Sequence, residues 1–255
     1  QPFGLEQKEG FFIGCDVSPC AFEMYWRLRG MENAMLDIAG DPELAAAMFA
    51  KCARFALRLS RRACAEMPLD WLWCGDDVAG QNSMIMNPAL WREAIKPLMA
   101  EIFAVARGRN QWVAHHCCGA LRPIIPDLIE IGLDLLNPIQ SNCAGMDPLE
   151  LKREFGASLA FMGGVDTQDI LRFGTAAQVR ASTERLIEGM TAPVGGRGAG
   201  GYILAASHTI PPETPDENIF ALYAAAGIAR EEIFERASAI RKRMIDSPAE
   251  RAVAT

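Results

Sequence analysis

Residues 113–123 read VAHHCCGALRP: an apolar lead-in, two histidines, two cysteines and a glycine, then Leu121-Arg122-Pro123, where a helix can begin. The run reads as a strand that ends in polar residues and turns directly into a helix. Along an extended strand, side chains at i and i+2 share a face. His116 and Cys118 therefore point together, while His115 and Cys117 point the other way. Cys118 closes the strand, and the positive end of the helix that follows is expected to favour its thiolate.

The same alternation of strand and helix runs along the whole chain. GFFIGCDV (10–17), LDWLWCGDD (69–77), QWVAHHCC (111–118), LDLLNPIQ (133–140), LAFMGGVD (159–166) and GGYILAASH (200–208) are strand-like. Between them, 23–30, 41–67, 87–108, 121–131, 146–156, 175–190 and 215–227 carry helical spacing, several with an Asp or Asn cap followed by Pro. The strands are near-continuous apolar runs, as expected for a parallel sheet covered on both faces. Their polar residues collect at the C-terminal ends: Asp16 and Ser18, Asp76 and Asp77, His116 and Cys118, Gln140, Asp166 and His208. In a βα barrel the active site is assembled at that end, from several strands. The expected fold is therefore α/β, a (β/α)8 TIM barrel in one domain over 1–255. Six strands fall two short of eight. The opening QPFGLEQKEG has no initiating Met and reads as mid-protein sequence, so the barrel is expected to lack its N-terminal βα units. An open doubly wound sheet is the alternative, but it calls for a phosphate loop after its first strand.

Composition narrows the function classes. Half of the 255 residues are hydrophobic and 22% are charged, enough for a sizeable core. The net charge of −7 argues against a nucleic-acid surface. No apolar run approaches the roughly 20 residues of a membrane span, and no signal peptide is visible. The eight cysteines sit mostly in apolar segments without the spacing of a disulfide scaffold, which points to a reducing cytoplasm.

Two motifs compete for attention. Gly196-Arg-Gly198-Ala-Gly200-Gly201 resembles a dinucleotide fingerprint by letter, yet it precedes a strand and cannot set a pyrophosphate on a helix N-terminus. It reads as a strand-entry loop. His116 and Cys118 on one face make half of a tetrahedral zinc site. His208 also ends a strand and is the expected third ligand, with Asp77 a fourth oxygen ligand or an outer partner. A packed, sulfur-rich core strand and a Cys118/His116 nucleophile dyad are the other readings. A Cys117–Cys118 redox couple is disfavoured by the strain of a vicinal disulfide. Asp166, after Gly163-Gly164, is either a site residue or the cap of the next helix. Asp216 and Asn218 read as helix-start residues and Tyr202 as packing.

HCCG (116–119), DLIEIGLDLLNPIQ (127–140), MDPLELKREFG (146–156), FMGGVDTQDIL (161–171), GGYILAASHTIPPETPDENIFALY (200–223), LRGMENAMLDI (28–38) and GDDVAGQ (75–81) occur in an order that resembles the uroporphyrinogen decarboxylase superfamily. More narrowly, they resemble its zinc-dependent methyltransferase-type branch, which takes a methyl group from a corrinoid protein. The resemblance covers about residues 10 to 240. It implies a βα barrel longer at its N-terminus than this chain. It also implies zinc ligands at His116 and Cys118, and a third ligand at the end of the GGY strand. That ligand is a cysteine in the best-known members, and here the position is held by His208. Asp76, Asp77 and Asp166 are then candidates for proton handling. The implied cofactor is Zn2+, with a corrinoid carried by a partner protein and a thiol or a folate as methyl acceptor. Metal-free tetrapyrrole decarboxylation and a non-catalytic barrel with a structural zinc remain alternatives. The decarboxylases hold acidic substrate arms with an N-terminal arginine motif, and none stands in these residues.

Overall fold

A computed structural model describes residues 11–246 apart from Arg197 and Ala199. The opening QPFGLEQKEG and those two positions of the Gly196–Gly201 loop lie outside the described residues. In chain order the elements are β1 (Gly14–Asp16), α1 (Phe22–Arg29), α2 (Met31–Gly40), α3 (Pro42–Glu66), β2 (Trp71–Gly75), α4 (Pro88–Ala94), α5 (Lys96–Arg107) and β3 (Trp112–His116). There follow α6 (Ile125–Glu130), β4 (Leu135–Ile139), α7 (Pro148–Phe155), β5 (Ala160–Val165), α8 (Ile170–Phe173), α9 (Ala176–Thr191), β6 (Tyr202–Ala206), α10 (Asp216–Ala225) and α11 (Arg230–Asp246).

The six strands form one sheet, all parallel, in the order β1-β2-β3-β4-β5-β6. A doubly wound sheet reverses its strand order at a switch point. No reversal occurs here, and the arrangement is that of a partial TIM barrel.

Local chemistry starts and stops the helices. Asp41 accepts the Leu44 N–H at 3.0 Å and Pro42 fills the first turn of α3. Along α3, Ala45, Phe49, Cys52, Ala53, Ala56, Leu57 and Ser60 are buried at helical spacing, and the helix packs on α1, α2 and α5. Burying a side chain such as Phe49 contributes about 1.5–3 kcal/mol. Helix α9 opens with a capping box, in which Thr175 and Gln178 satisfy each other's backbone N–H groups. The stretch 87–108, expected as one helix, is two, because the chain turns at Ile95. Pro97 explains the break: it lacks an N–H and its ring crowds the carbonyl of Glu93. The helix expected from Leu121 begins instead with a 3-10 turn at Arg122–Ile124 and becomes α-helical at Ile125.

Each strand sorts its side chains onto two faces. Leu72, Cys74, Val113, His115, Leu136 and Phe161 are buried against the helices. Trp71, Trp73, Trp112, His116, Met162 and Ile203 turn to the opposite, concave face. The register carries that face from strand to strand: Trp71 beside Trp112, Gly75 beside His116, His116 beside Asn137. At the N-terminal end, Phe12, Trp71, Trp112 and Ile203 line an apolar cavity of about 670 Å³. Asp77, His116 and Cys118 lie at the other end.

Candidate metal centre

The turn after β3 is held by its neighbours on both sides. Cys117 N–H donates to the Asn137 carbonyl at 2.9 Å, Cys118 N–H to Asp77 Oδ1 at 2.7 Å, and Gly119 N–H to Gln140 Oε1 at 3.1 Å. Ala120 N–H donates to the Gly80 carbonyl at 2.8 Å. Gly119 sits at φ +93°, and a Cβ there would come within 2.6 Å of Gly80 O. Only glycine permits that approach without displacing the loop that follows Asp77.

Strand alternation does at HHCC what the spacing predicts. His115 is 2% exposed, with Nδ1 3.8 Å from Cys74 Sγ and its ring against Phe103; Cys117 is fully buried. These two belong to the core. His116 and Cys118 face the concave side, with Nε2 3.4 Å from Sγ. Asp77, at the end of β2, brings Oδ1 to 3.9 Å from the same Nε2. One ligand atom from each of Asp77, His116 and Cys118 lies within 4.8 Å of the others, and all three residues are half-buried. His116 Nδ1 is 2.7 Å from Asn137 Oδ1, and the Trp73 ring centroid is 6.4 Å from that of the imidazole.

The remaining sequence candidates stand elsewhere. His208 does not join the Asp77–His116–Cys118 group. On β6 the concave positions are Ile203 and Ala205, opposite Met162 and Gly164; the strand ends at Ala206, and His208 lies beyond it, exposed. Ser207 is buried against Thr167. Asp76 is 1% exposed and faces away from the cluster. Its two oxygens accept the N–H groups of Ala21, Phe22 and Glu23 at 2.8–3.2 Å, capping α1. Burial outweighs those donors and pushes its carboxyl up to about 7. Asp166 caps the turn into α8, accepting from Gln168, Asp169 and Ile170. The thiolate expected at Cys118 is corrected too. Burial, and then the Asp77 carboxylate, push this thiol up to about 12. The first helical turn begins only at Arg122, too far on to offset a carboxylate beside the sulfur.

Sequence reasoning missed Asn137. Its signal was a lone amide in the apolar run Leu135–Ile139, on the same face of β4 as Leu135 and one strand over from His116. All eight cysteines are free thiols. Among the described residues, no helix is long and apolar enough to cross a membrane.

The donor set of one carboxylate oxygen, one imidazole nitrogen and one thiol sulfur suits a borderline cation such as zinc better than the all-oxygen preference of Mg2+ or Ca2+. Fold and site together define a partial βα barrel with a candidate metal centre at its C-terminal mouth. Residues 8–227 match the family profile described as uroporphyrinogen decarboxylase (URO-D), and the chain belongs to that family. The family is mostly enzymatic, with decarboxylase and methyltransferase branches. Comparison with curated proteins returned no match.

Proposed function

We propose that the protein is a zinc-dependent methyltransferase moving a methyl group between a corrinoid protein and a thiol or folate acceptor. The observation that carries this reading is the convergence of Asp77, His116 and Cys118 within 4.8 Å at the ends of two adjacent strands. Asp77, His116 and Cys118 would hold the zinc, which would supply Lewis-acid activation of an acceptor thiol.

The chain's own residues prepare that site. Cys118 is kept protonated by burial and by Asp77 until a cation arrives. Asp77 holds the turn through the Cys118 N–H and keeps a second oxygen for a ligand bond. Trp73 walls one side of His116. Among the described residues, the six strands and their C-terminal ends carry Asp16, Asp77 and Asp166 outside the core and no Lys or Arg. A tetrapyrrole bearing several carboxylates meets like charge on that wall, which weighs against the decarboxylase reading.

The test is turnover. Zinc-loaded protein is incubated with methylcobalamin as a free stand-in for a corrinoid protein, and with a panel of small thiols. Methyl thioether formed at a rate that falls at least about 100-fold in Cys118→Ala supports the reading. Equal rates in both proteins, or decarboxylation of a tetrapyrrole instead, contradict it.

A further inference from the structure

We propose that Asn137 is a positioning residue: its side-chain oxygen holds the neutral His116 imidazole with the proton on Nδ1 and so keeps Nε2 bare toward Cys118 and Asp77. The purpose of this arrangement rests on the metal-site reading, whereas its geometry does not.

Four observations converge. Asn137 is the register partner of His116 across β3 and β4, so the two side chains rise side by side from the sheet. Asn137 is only 7% exposed, among buried Leu135, Leu136 and Ile139, and a buried amide is costly there unless it is hydrogen-bonded. The contact it makes is Oδ1 to His116 Nδ1 at 2.7 Å. With Oδ1 on Nδ1 the contact is satisfied by the Nδ1–H tautomer, an amide orientation that the experiment below reads directly. The second ring nitrogen then faces its neighbours unprotonated, 3.4 Å from Cys118 Sγ and 3.9 Å from Asp77 Oδ1.

The backbone of the same residue serves the neighbouring position. The Asn137 carbonyl accepts the Cys117 N–H at 2.9 Å, and three residues on Gln140 accepts the Gly119 N–H. Strand β4 thereby supports both the imidazole and the turn that carries Cys118. Orientation of a metal-binding histidine through its second nitrogen fixes tautomer and direction together. The carboxylate of the cluster is spent differently, on the Cys118 N–H. An uncharged amide performs the orienting role, so the imidazole is aligned without further negative charge beside it.

The experiment is 15N NMR of the three histidines in metal-free protein at about pH 8, above the ordinary imidazole range. It is run on the native chain, Asn137→Leu and Asn137→Asp, with zinc titrations of each. The native chain and Asn137→Asp are expected to show His116 as the Nδ1–H tautomer. Asn137→Leu is expected to lose that preference and bind zinc about 10–100-fold more weakly, with Asn137→Asp restoring most of the affinity. A folded Asn137→Leu checked by circular dichroism removes misfolding as an explanation, and Asn137→Asp carries the test if that variant does not fold. An Nε2–H tautomer in the native chain, or an unchanged tautomer and zinc affinity in folded Asn137→Leu, overturns the proposal. A native chain that shows Nδ1–H, loses it in Asn137→Leu and binds no zinc leaves the positioning role intact and removes the metal-site reading.

Discussion

The backbone N–H of Cys118 donates to Asp77 Oδ1 at 2.7 Å, across the junction of β3 with β2. One carboxylate thus fixes the position of the thiol's backbone, while burial and then its charge push the thiol up. Burial and that carboxylate disfavour a free thiolate at Cys118. The arrangement suits a sulfur that waits for a cation.

The first consequence concerns protons. Burial and Asp77 push the Cys118 thiol up to about 12, so near neutrality the sulfur must lose its proton when it binds metal. Zinc binding is expected to release about one proton per chain from Cys118 and to tighten about tenfold per pH unit on that account. Calorimetry in buffers of different ionisation enthalpy measures the release. Binding without proton release in the native chain would show that sulfur is not a ligand.

His115 carries the second prediction. Burial pushes its imidazole down to about 3, so it is neutral in the folded protein. Its folded-state value lies below the ordinary 6.5, so its contribution to stability is present above about 6.5 and is lost as pH falls from there toward about 3. The slope approaches about 1.4 kcal/mol per pH unit within that window. Urea unfolding of native protein and His115→Leu from about pH 7 to pH 4 should show a shallower decline in the variant. Parallel curves would mean that His115 gains a partner on protonation.

Asp76 and Asp77 adjoin in sequence and part in role. Asp76→Ala strands the N–H groups that open α1. It is expected to destabilise the fold by about 1–3 kcal/mol while leaving zinc stoichiometry unchanged. Asp77→Ala is expected to do the reverse, with a larger loss of zinc affinity than of stability. Denaturant unfolding paired with metal analysis separates the two. The same phenotype from both variants would contradict the assignment.

Much of this was legible in the sequence because it depends on period-2 alternation. The opposite faces of His115 and His116, the six strands, and the polar C-terminal ends follow from local pattern alone. What stayed hidden depends on distant partners. The Cys118 thiol is raised first by burial and then by a carboxylate 41 positions away, neither of which local sequence displays. His208 was read as a ligand because it ends an apolar run. In the fold β6 ends at Ala206, and His208 follows it, exposed and outside the Asp77–His116–Cys118 group. Asp76 shows the same limit, since its capping of α1 spans more than 50 residues. Asn137, inside the strand-like run 133–140, carried no site reading of its own; its register beside His116 supplies one.

Metal content of the purified protein, measured beside the His116→Ala/Cys118→Ala variant, tests the central claim most directly. Near one zinc per native chain, lost in a variant that remains folded, is the predicted result. A native protein free of metal after purification with zinc present, and unable to take it up, would contradict the metal centre and with it the methyl-transfer reading.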